Sequence, residues 1–184
     1  MTPRLLALIP SAVALNLAMG FIVNQLGLPV YLDTTGTVLV AALAGPGAGV
    51  LTGIVSQLVR SLYEGFVWLP FGLIQVIIAL TAAWAASRGG FRNAGRSVFW
   101  GLLTGLAAGL ASSVISYLIF KGVTATGVTA VTTLLTGLGL SRQAAVTAAS
   151  VGTDLIDKVI VFLLVGAALR GLPERMRVGL GRRA

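Results

Sequence analysis

The chain has 184 residues, of which 57% are hydrophobic and only 10% are charged, and its mean hydropathy is +0.98. A soluble domain carries about a quarter charged residues, so this composition predicts an integral membrane protein. The sequence contains neither cysteine nor histidine, which excludes disulfides, thiol nucleophiles, imidazole bases and Cys/His metal sites. We therefore expect neither an enzyme nor a protein that depends on a metal or another cofactor.

The apolar stretches predict a single all-α transmembrane domain over residues 1–184, with spans at 5–23, 31–44, 46–62, 66–87, 97–120 and 144–169 and a basic tail at 170–184. Most of the second and third spans lies in one uncharged run, residues 34–59, which Gly45-Pro46-Gly47 interrupts. Glycine commonly ends a helix and proline commonly opens one. The run is therefore either one long helix, giving five spans, or a hairpin, giving six, and the turn chemistry favours a six-helix bundle.

The basic residues test the orientation, because cytoplasmic loops carry an excess of lysine and arginine. With six spans and both termini in the cytoplasm, three basic residues face outside and Lys158 lies within a span. The nine that face inside are Arg4, Arg88, Arg92, Arg96, Arg170, Arg175, Arg177, Arg182 and Arg183. A model with five spans and the N-terminus outside places eight basic residues inside and four outside, so the count barely separates the two models. Attraction to anionic lipid head groups explains the net charge of +8 better than nucleic-acid binding does.

Small residues recur at every fourth position, in the trios Gly45, Gly49, Gly53 and Gly101, Gly105, Gly109 and in the pair Ala14 and Ala18. This spacing places each set on one helix face and lets a neighbouring backbone approach closely. For the glycine trios we expect packing within the chain. Residues 121–143 are rich in Thr and Gly, and the first half of this segment is too polar to span a membrane. Residues 129–140 are either a short surface helix or part of a flexible connector.

The last span contains Asp154, Asp157 and Lys158 on one helix face. An ionised carboxylate at mid-membrane costs several kcal/mol unless it is paired, so such residues are functional candidates. Asp154 precedes Lys158 by four residues, the favourable order for a helical ion pair. Two readings stay open: a structural ion pair that holds the helix in the bundle, or a direct role with ligand or proton.

A second polar group surrounds the start of the second span and the end of the third. Asp33 is placed to cap the helix that follows it, which is an alternative to a ligand-binding role. Arg60 lies on the outer side against the charge bias, and a guanidinium beside aromatics such as Trp68 suits a planar or anionic solute. We expect Asp33, Arg60, Trp68, Asp154, Asp157 and Lys158 to surround one substrate pocket. Arg60→Ala and Asp154→Asn are then expected to weaken ligand binding more than folding.

The chain resembles the S components of energy-coupling-factor (ECF) transporters, small membrane proteins that capture vitamins and related nutrients. The resemblance covers nearly the whole chain in its length and span pattern. It is strongest in LPVYLDTTGTVLVAALAGP at residues 28–46, in DLIDK at 154–158 and in LPER at 172–175.

This resemblance implies a six-helix bundle in a prokaryotic plasma membrane that captures a vitamin-like nutrient from outside. It also implies an energising module, with a coupling membrane subunit that packs against Ala14 and Ala18 and two ATPase subunits. Residues 24–30 and 121–143 would close the pocket. The sequence is consistent with this, because it carries no phosphate-binding loop of its own.

Three other functions stay open from the sequence. A ligand-sensing module would need a separate output protein. A proton-coupled carrier would use Asp154 and Asp157 as its relay and would transport alone. A purely structural assembly protein would bind no small molecule.

Overall fold

The computed structural model describes residues 3–121 and 127–172, which form seven α-helices, one 3-10 helix and no strand. The helices are α1 (Pro3–Gln25), α2 (Thr35–Ala44), α3 (Pro46–Glu64), α4 (Gly72–Ser87), α5 (Ala94–Phe120), α6 (Gly127–Gly137) and α7 (Arg142–Gly171), with the 3-10 helix Phe66–Phe71 preceding α4. The all-α prediction is confirmed. Part of the predicted 121–143 connection (122–126) and most of the predicted basic tail (173–184, including Glu174 and Arg175) lie outside the described residues.

The uncharged run at residues 34–59 belongs to two helices and not one. The chain turns at Gly45, whose backbone φ angle of 93° is rarely adopted by residues that have a Cβ atom. Pro46 then begins α3 at the first helical position, where its missing N–H costs nothing. Gly45 therefore makes the turn, and its predicted place on a helix-packing face with Gly49 and Gly53 was wrong: a Cβ on Gly45 would meet nothing within 4 Å.

Helix α2 lies at the centre of the bundle, in contact with α1, α3, α4 and α7. Its residues Thr37, Val38, Val40 and Ala41 are completely buried, and a helix that is buried on all sides belongs to an interior. It has ten residues, a length of about 15 Å, or half of the hydrocarbon thickness of a bilayer.

Within residues 3–121 and 127–172, three segments are long and apolar enough to cross a membrane: Ala7–Gln25, Phe66–Ser87 and Ala94–Phe120. The outer surface is apolar, with Leu62, Phe66 and Leu118 each more than 70% exposed. The interior, by contrast, contains amides, carboxylates and a lysine. An apolar exterior around a polar interior is typical of a helical bundle whose solvent is lipid.

Helices α5 and α7 form the most extensive helix pair of the described residues, and glycine explains how closely they pack. A Cβ built on Gly101, Gly105 or Gly109 would lie 2.8, 2.8 or 2.7 Å from the Cα atoms of Val159, Leu155 or Val151. The two helices run antiparallel with contacts at every fourth residue, the close approach that small residues allow. The predicted packing of this trio within the chain is confirmed.

Basic side chains gather where α4 ends, α5 begins and α7 ends. The Arg96 guanidinium lies 3.5 Å from the carbonyl oxygens of Arg88 and Gly89, and that of Arg170 donates to the carbonyl of Phe91 at 3.2 Å. Arg92 belongs to the same connection. The opposite end of the bundle is where α1 ends, α2 begins and α3 ends.

Candidate functional site

A cavity lies among the helices toward the end where α2 begins. Its empty volume is about 540 Å³, a figure that includes the solvent at its open mouth. The polar part of its wall consists of Tyr31, Asp33, Thr34, Gln57, Gln75, Ser112, Asp154 and Lys158. The apolar part consists of Val67, Trp68, Phe71, Ile74 and Ile78.

Four of the six predicted pocket residues line this cavity: Asp33, Trp68, Asp154 and Lys158. The other two lie behind them. Arg60 contacts Asp33 and Trp68, and Asp157 is completely buried against Lys158. The fold thus brings the two polar groups of the sequence to one place, although they are at least 86 positions apart.

Arg60 is the centre of the first group. Its Nη1 donates to Asp33 Oδ2 at 2.6 Å and its Nε donates to Glu64 Oε2 at 2.7 Å. Its guanidinium carbon lies 3.6 Å from the ring centroid of Trp68, the geometry of a cation–π contact. The side chain is only 5% exposed. Arg60 is therefore a buried cation that is paired with two carboxylates.

The capping role considered for Asp33 is also wrong. Thr34 is the residue at the N-terminal cap of α2, and no side chain makes a capping hydrogen bond there. The Asp33 carboxylate binds Arg60 instead, because the guanidinium offers a charged donor where the helix terminus offers only a partial charge.

The second group joins α7 to the connection between α1 and α2. Lys158 Nζ lies 3.3 Å from Asp154 Oδ1 and also contacts Asp157 Oδ2. Asp157 Oδ1 accepts hydrogen bonds from the backbone N–H groups of Tyr31, at 2.8 Å, and Leu32, at 2.7 Å. The predicted helical ion pair is therefore present, and Asp157 in addition anchors the segment that forms one wall of the cavity.

Two polar atoms of the cavity residues have no hydrogen-bond partner among the described residues: Thr34 Oγ1 and Asp154 Oδ2. Both residues are 2% exposed, and Ser112 lies beside the Asp154 carboxyl. An unpaired buried oxygen costs about 1–3 kcal/mol, more when it is charged. The wall of the cavity therefore contains two buried polar atoms that no described residue pairs.

An amide network supports the cavity from behind. Asn16 Nδ2 donates to Thr37 Oγ1 and to Ser56 Oγ, each at 2.9 Å, and Asn16 Oδ1 accepts from the N–H of Gly36 at 2.7 Å. Thr37 Oγ1 in turn donates to Gln75 Oε1 at 2.8 Å. Sequence reasoning did not select Gln75, yet a single amide within the apolar run of α4 was a usable signal, because a polar side chain inside a membrane span must find a partner.

The predicted partner residues Ala14 and Ala18 are both exposed on α1, whereas Asn16 between them is 1% exposed. Asn16 therefore points into the bundle. The two alanines form a smooth strip on the outer surface.

The described residues contain no group of three or more His, Cys, Asp or Glu side chains that could hold a metal ion. What the site can do is surround a small solute with aromatic rings, amides and charged groups. Comparison of the chain with protein-family models, curated proteins and solved structures gives no match. The functional conclusion therefore depends on the chemistry of the site.

Proposed function

We propose that this protein is the solute-capture S component of an ECF-type importer in a prokaryotic plasma membrane. The observation that carries the proposal is the cavity: an open, mixed polar and aromatic space inside a bundle whose surface is apolar, with two buried polar atoms of its wall unpaired among the described residues. A structural assembly protein has no need of such a cavity, because unfilled polar space is destabilising.

The distribution of charge supports an outward-facing cavity. The basic residues Arg88, Arg92, Arg96 and Arg170 lie at the end of the bundle opposite the cavity. Under the positive-inside rule that end faces the cytoplasm. In this arrangement the bundle has six membrane segments, of which the short α2 extends through about half of the hydrocarbon layer, and the cavity receives a vitamin-like organic nutrient from outside.

The exposed strip of Ala14 and Ala18 supports a docking role for α1, since small residues let another membrane helix approach closely. In the proposed importer the strip packs against a coupling subunit, which carries two ATPase subunits. Residues 24–30, next to the cavity mouth, and α6 then form the outer cover of the site.

The test is affinity purification of the tagged chain from its native membranes in mild detergent, with and without Ala14→Leu plus Ala18→Leu. We expect the unaltered chain to co-purify with a membrane subunit and ATPases, and the double variant to lose them while staying folded. Ala148→Leu, at an exposed position of α7, is the matched control and retains them. Failure of the unaltered chain to retain any ATPase contradicts the proposal.

A proton-coupled carrier is the second candidate, and the unpaired Asp154 Oδ2 in the cavity favours it. A carrier moves solute alone in liposomes in response to a pH gradient, whereas an S component requires ATP and its partners. Uptake of the compound that co-purifies with the protein, measured in liposomes with and without ATPase subunits, separates the two.

A further inference from the structure

The charged groups around the cavity form two clusters, and in each one cation is shared by two carboxylates. Arg60 is shared by Asp33 and Glu64, and Lys158 is shared by Asp154 and Asp157. Each cluster has one negative charge more than it has positive charges. Among the described residues that line the cavity itself, Asp33 and Asp154 are carboxylates and only Lys158 is cationic.

The four carboxylates differ in how well their oxygens are satisfied. Asp33 and Glu64 each accept a short hydrogen bond from Arg60, and Asp157 accepts two backbone N–H groups in addition to Lys158. Asp154 has Lys158 at 3.3 Å from its Oδ1 and the neutral Ser112 hydroxyl as a hydrogen-bond partner, while its Oδ2 has no partner among the described residues. The uncompensated charge therefore lies at Asp154, in the cavity wall.

Aromatic rings form another part of the cavity wall. Trp68 and Phe71 have ring centroids 6.0 Å apart and Phe71 stacks on Phe120 at 5.9 Å, while Tyr31 also lines the cavity. The faces of such rings attract cations, as Arg60 at 3.6 Å from the Trp68 ring centroid and Lys158 Nζ at 6.0 Å from that of Tyr31 already show. A buried carboxylate that shares a cavity with aromatic rings is a combination that recognises ammonium and other organic cations.

We propose that the cavity binds a flat organic cation that carries an N–H donor, with its positive charge opposite Asp154 and its ring against Trp68 and Phe71. This inference names the class of solute and rests on the proposed function of the cavity as a capture site. An anionic solute would face the excess negative charge without a free guanidinium, since Arg60 is occupied by two carboxylates and lies against Trp68. A neutral solute would leave the charge of Asp154 unbalanced in a low-dielectric interior.

The experiment uses two sets of small molecules that differ in charge but share a ring. One is 1-methylnicotinamide, nicotinamide and nicotinate; the other is tryptamine, indole-3-ethanol and indole-3-acetate. Binding to the purified full chain in detergent is measured by titration calorimetry at neutral pH, up to millimolar concentration. We expect the cation of each set to bind about tenfold or more tightly than its neutral and anionic relatives.

Asp154→Asn keeps the shape of the side chain and removes its charge, so we expect it to abolish the preference for the cation. Glu64→Gln removes one charge from the other cluster without altering the cavity wall, and it should change the affinity by no more than about twofold. Gel filtration and thermal unfolding without added compound establish that each variant is folded. The comparison within each set on the unaltered chain does not depend on any variant.

Three results overturn the inference: equal or tighter binding of a neutral compound, tighter binding of an anion, or no binding of any of the six. Equal or tighter binding of a neutral compound is also the result expected if the Asp154 carboxyl carries a proton, because it then has no charge. These results are independent of the ATPase co-purification that tests the proposed function. Retained ATPases with an anion preference contradict only the solute class, and a cation preference without ATPases contradicts only the importer.

Discussion

The Arg60 guanidinium and the Asp33 carboxylate meet at 2.6 Å, joining the end of α3 to the residue just before α2. Their side chains are 6% and 13% exposed, so the pair is formed largely away from water. Arg60 also binds Glu64 and covers one face of Trp68. One cation thus fixes three elements that surround the cavity: the start of α2, the end of α3 and the 3-10 helix before α4.

This pairing changes what we expect from Arg60→Ala. From the sequence alone the substitution was expected to affect ligand binding more than folding. Because it leaves Asp33 and Glu64 as unpaired, largely buried carboxylates, we now expect it to lower the free energy of unfolding by about 3 kcal/mol. Thermal or denaturant unfolding in detergent measures this. Arg142→Ala, at an exposed arginine that begins α7, is the control and should have little effect; similar small losses in both variants would contradict the structural role of Arg60.

The close packing of α5 against α7 predicts that alanine substitution will have opposite effects on stability at two glycines. A Cβ on Gly105 would lie 2.6 Å from the backbone oxygen of Asp154, so Gly105→Ala must push the helices apart, at a cost of about 1–3 kcal/mol. Gly152 lies on α7 with nothing within 4 Å of its Cβ position. Gly152→Ala should therefore raise stability by about 0.5–1 kcal/mol through helix propensity. Thermal unfolding of both variants is the measurement, and equal effects would contradict the close approach.

Asn16 is expected to contribute to stability through three hydrogen bonds to other segments. Asn16→Leu removes them and leaves the buried N–H of Gly36 without a partner, so we expect a loss of about 2–3 kcal/mol. Ser11→Ala, on the same helix, removes only an exposed bond from the Ser11 hydroxyl to the carbonyl of Ala7 and should be nearly neutral. If Asn16→Leu unfolds at the same temperature as the unaltered chain, α1 is not held by this network.

The sequence predicts those features of the fold that depend on neighbouring residues. The break at Gly45 and Pro46 follows from the conformational preferences of the two residues, and the contact between Asp154 and Lys158 follows from their spacing on one helix. The three glycines of α5 share one helix face, so their packing within the chain could be predicted. The identity of the helix that they pack against could not.

The interactions that build the cavity could not be read from spacing in the same way. Asp33 finds its cation 27 positions away and Asp157 finds its backbone partners 126 and 125 positions away. Such pairings depend on how the helices are arranged. Asp33 looked like a helix cap for this reason, and Asp157 looked equivalent to Asp154, although one binds the backbone and the other faces the cavity.

That difference between the two aspartates gives the last prediction. Leu32 has a φ of 50°, a left-handed conformation that costs about 1 kcal/mol or more in a residue with a bulky side chain. Its N–H and that of Tyr31 are both bound by Asp157 Oδ1. Asp157→Asn weakens these charge-assisted bonds and sets an amide donor against Lys158, so we expect amide exchange at Tyr31 and Leu32 to become at least about tenfold faster. Hydrogen–deuterium exchange with mass spectrometry of peptides covering residues 29–34 measures this, with Asp154→Asn, which has no backbone contact at these residues, as the control. Faster exchange in both variants, or in neither, would show that Asp157 does not hold the connection between α1 and α2.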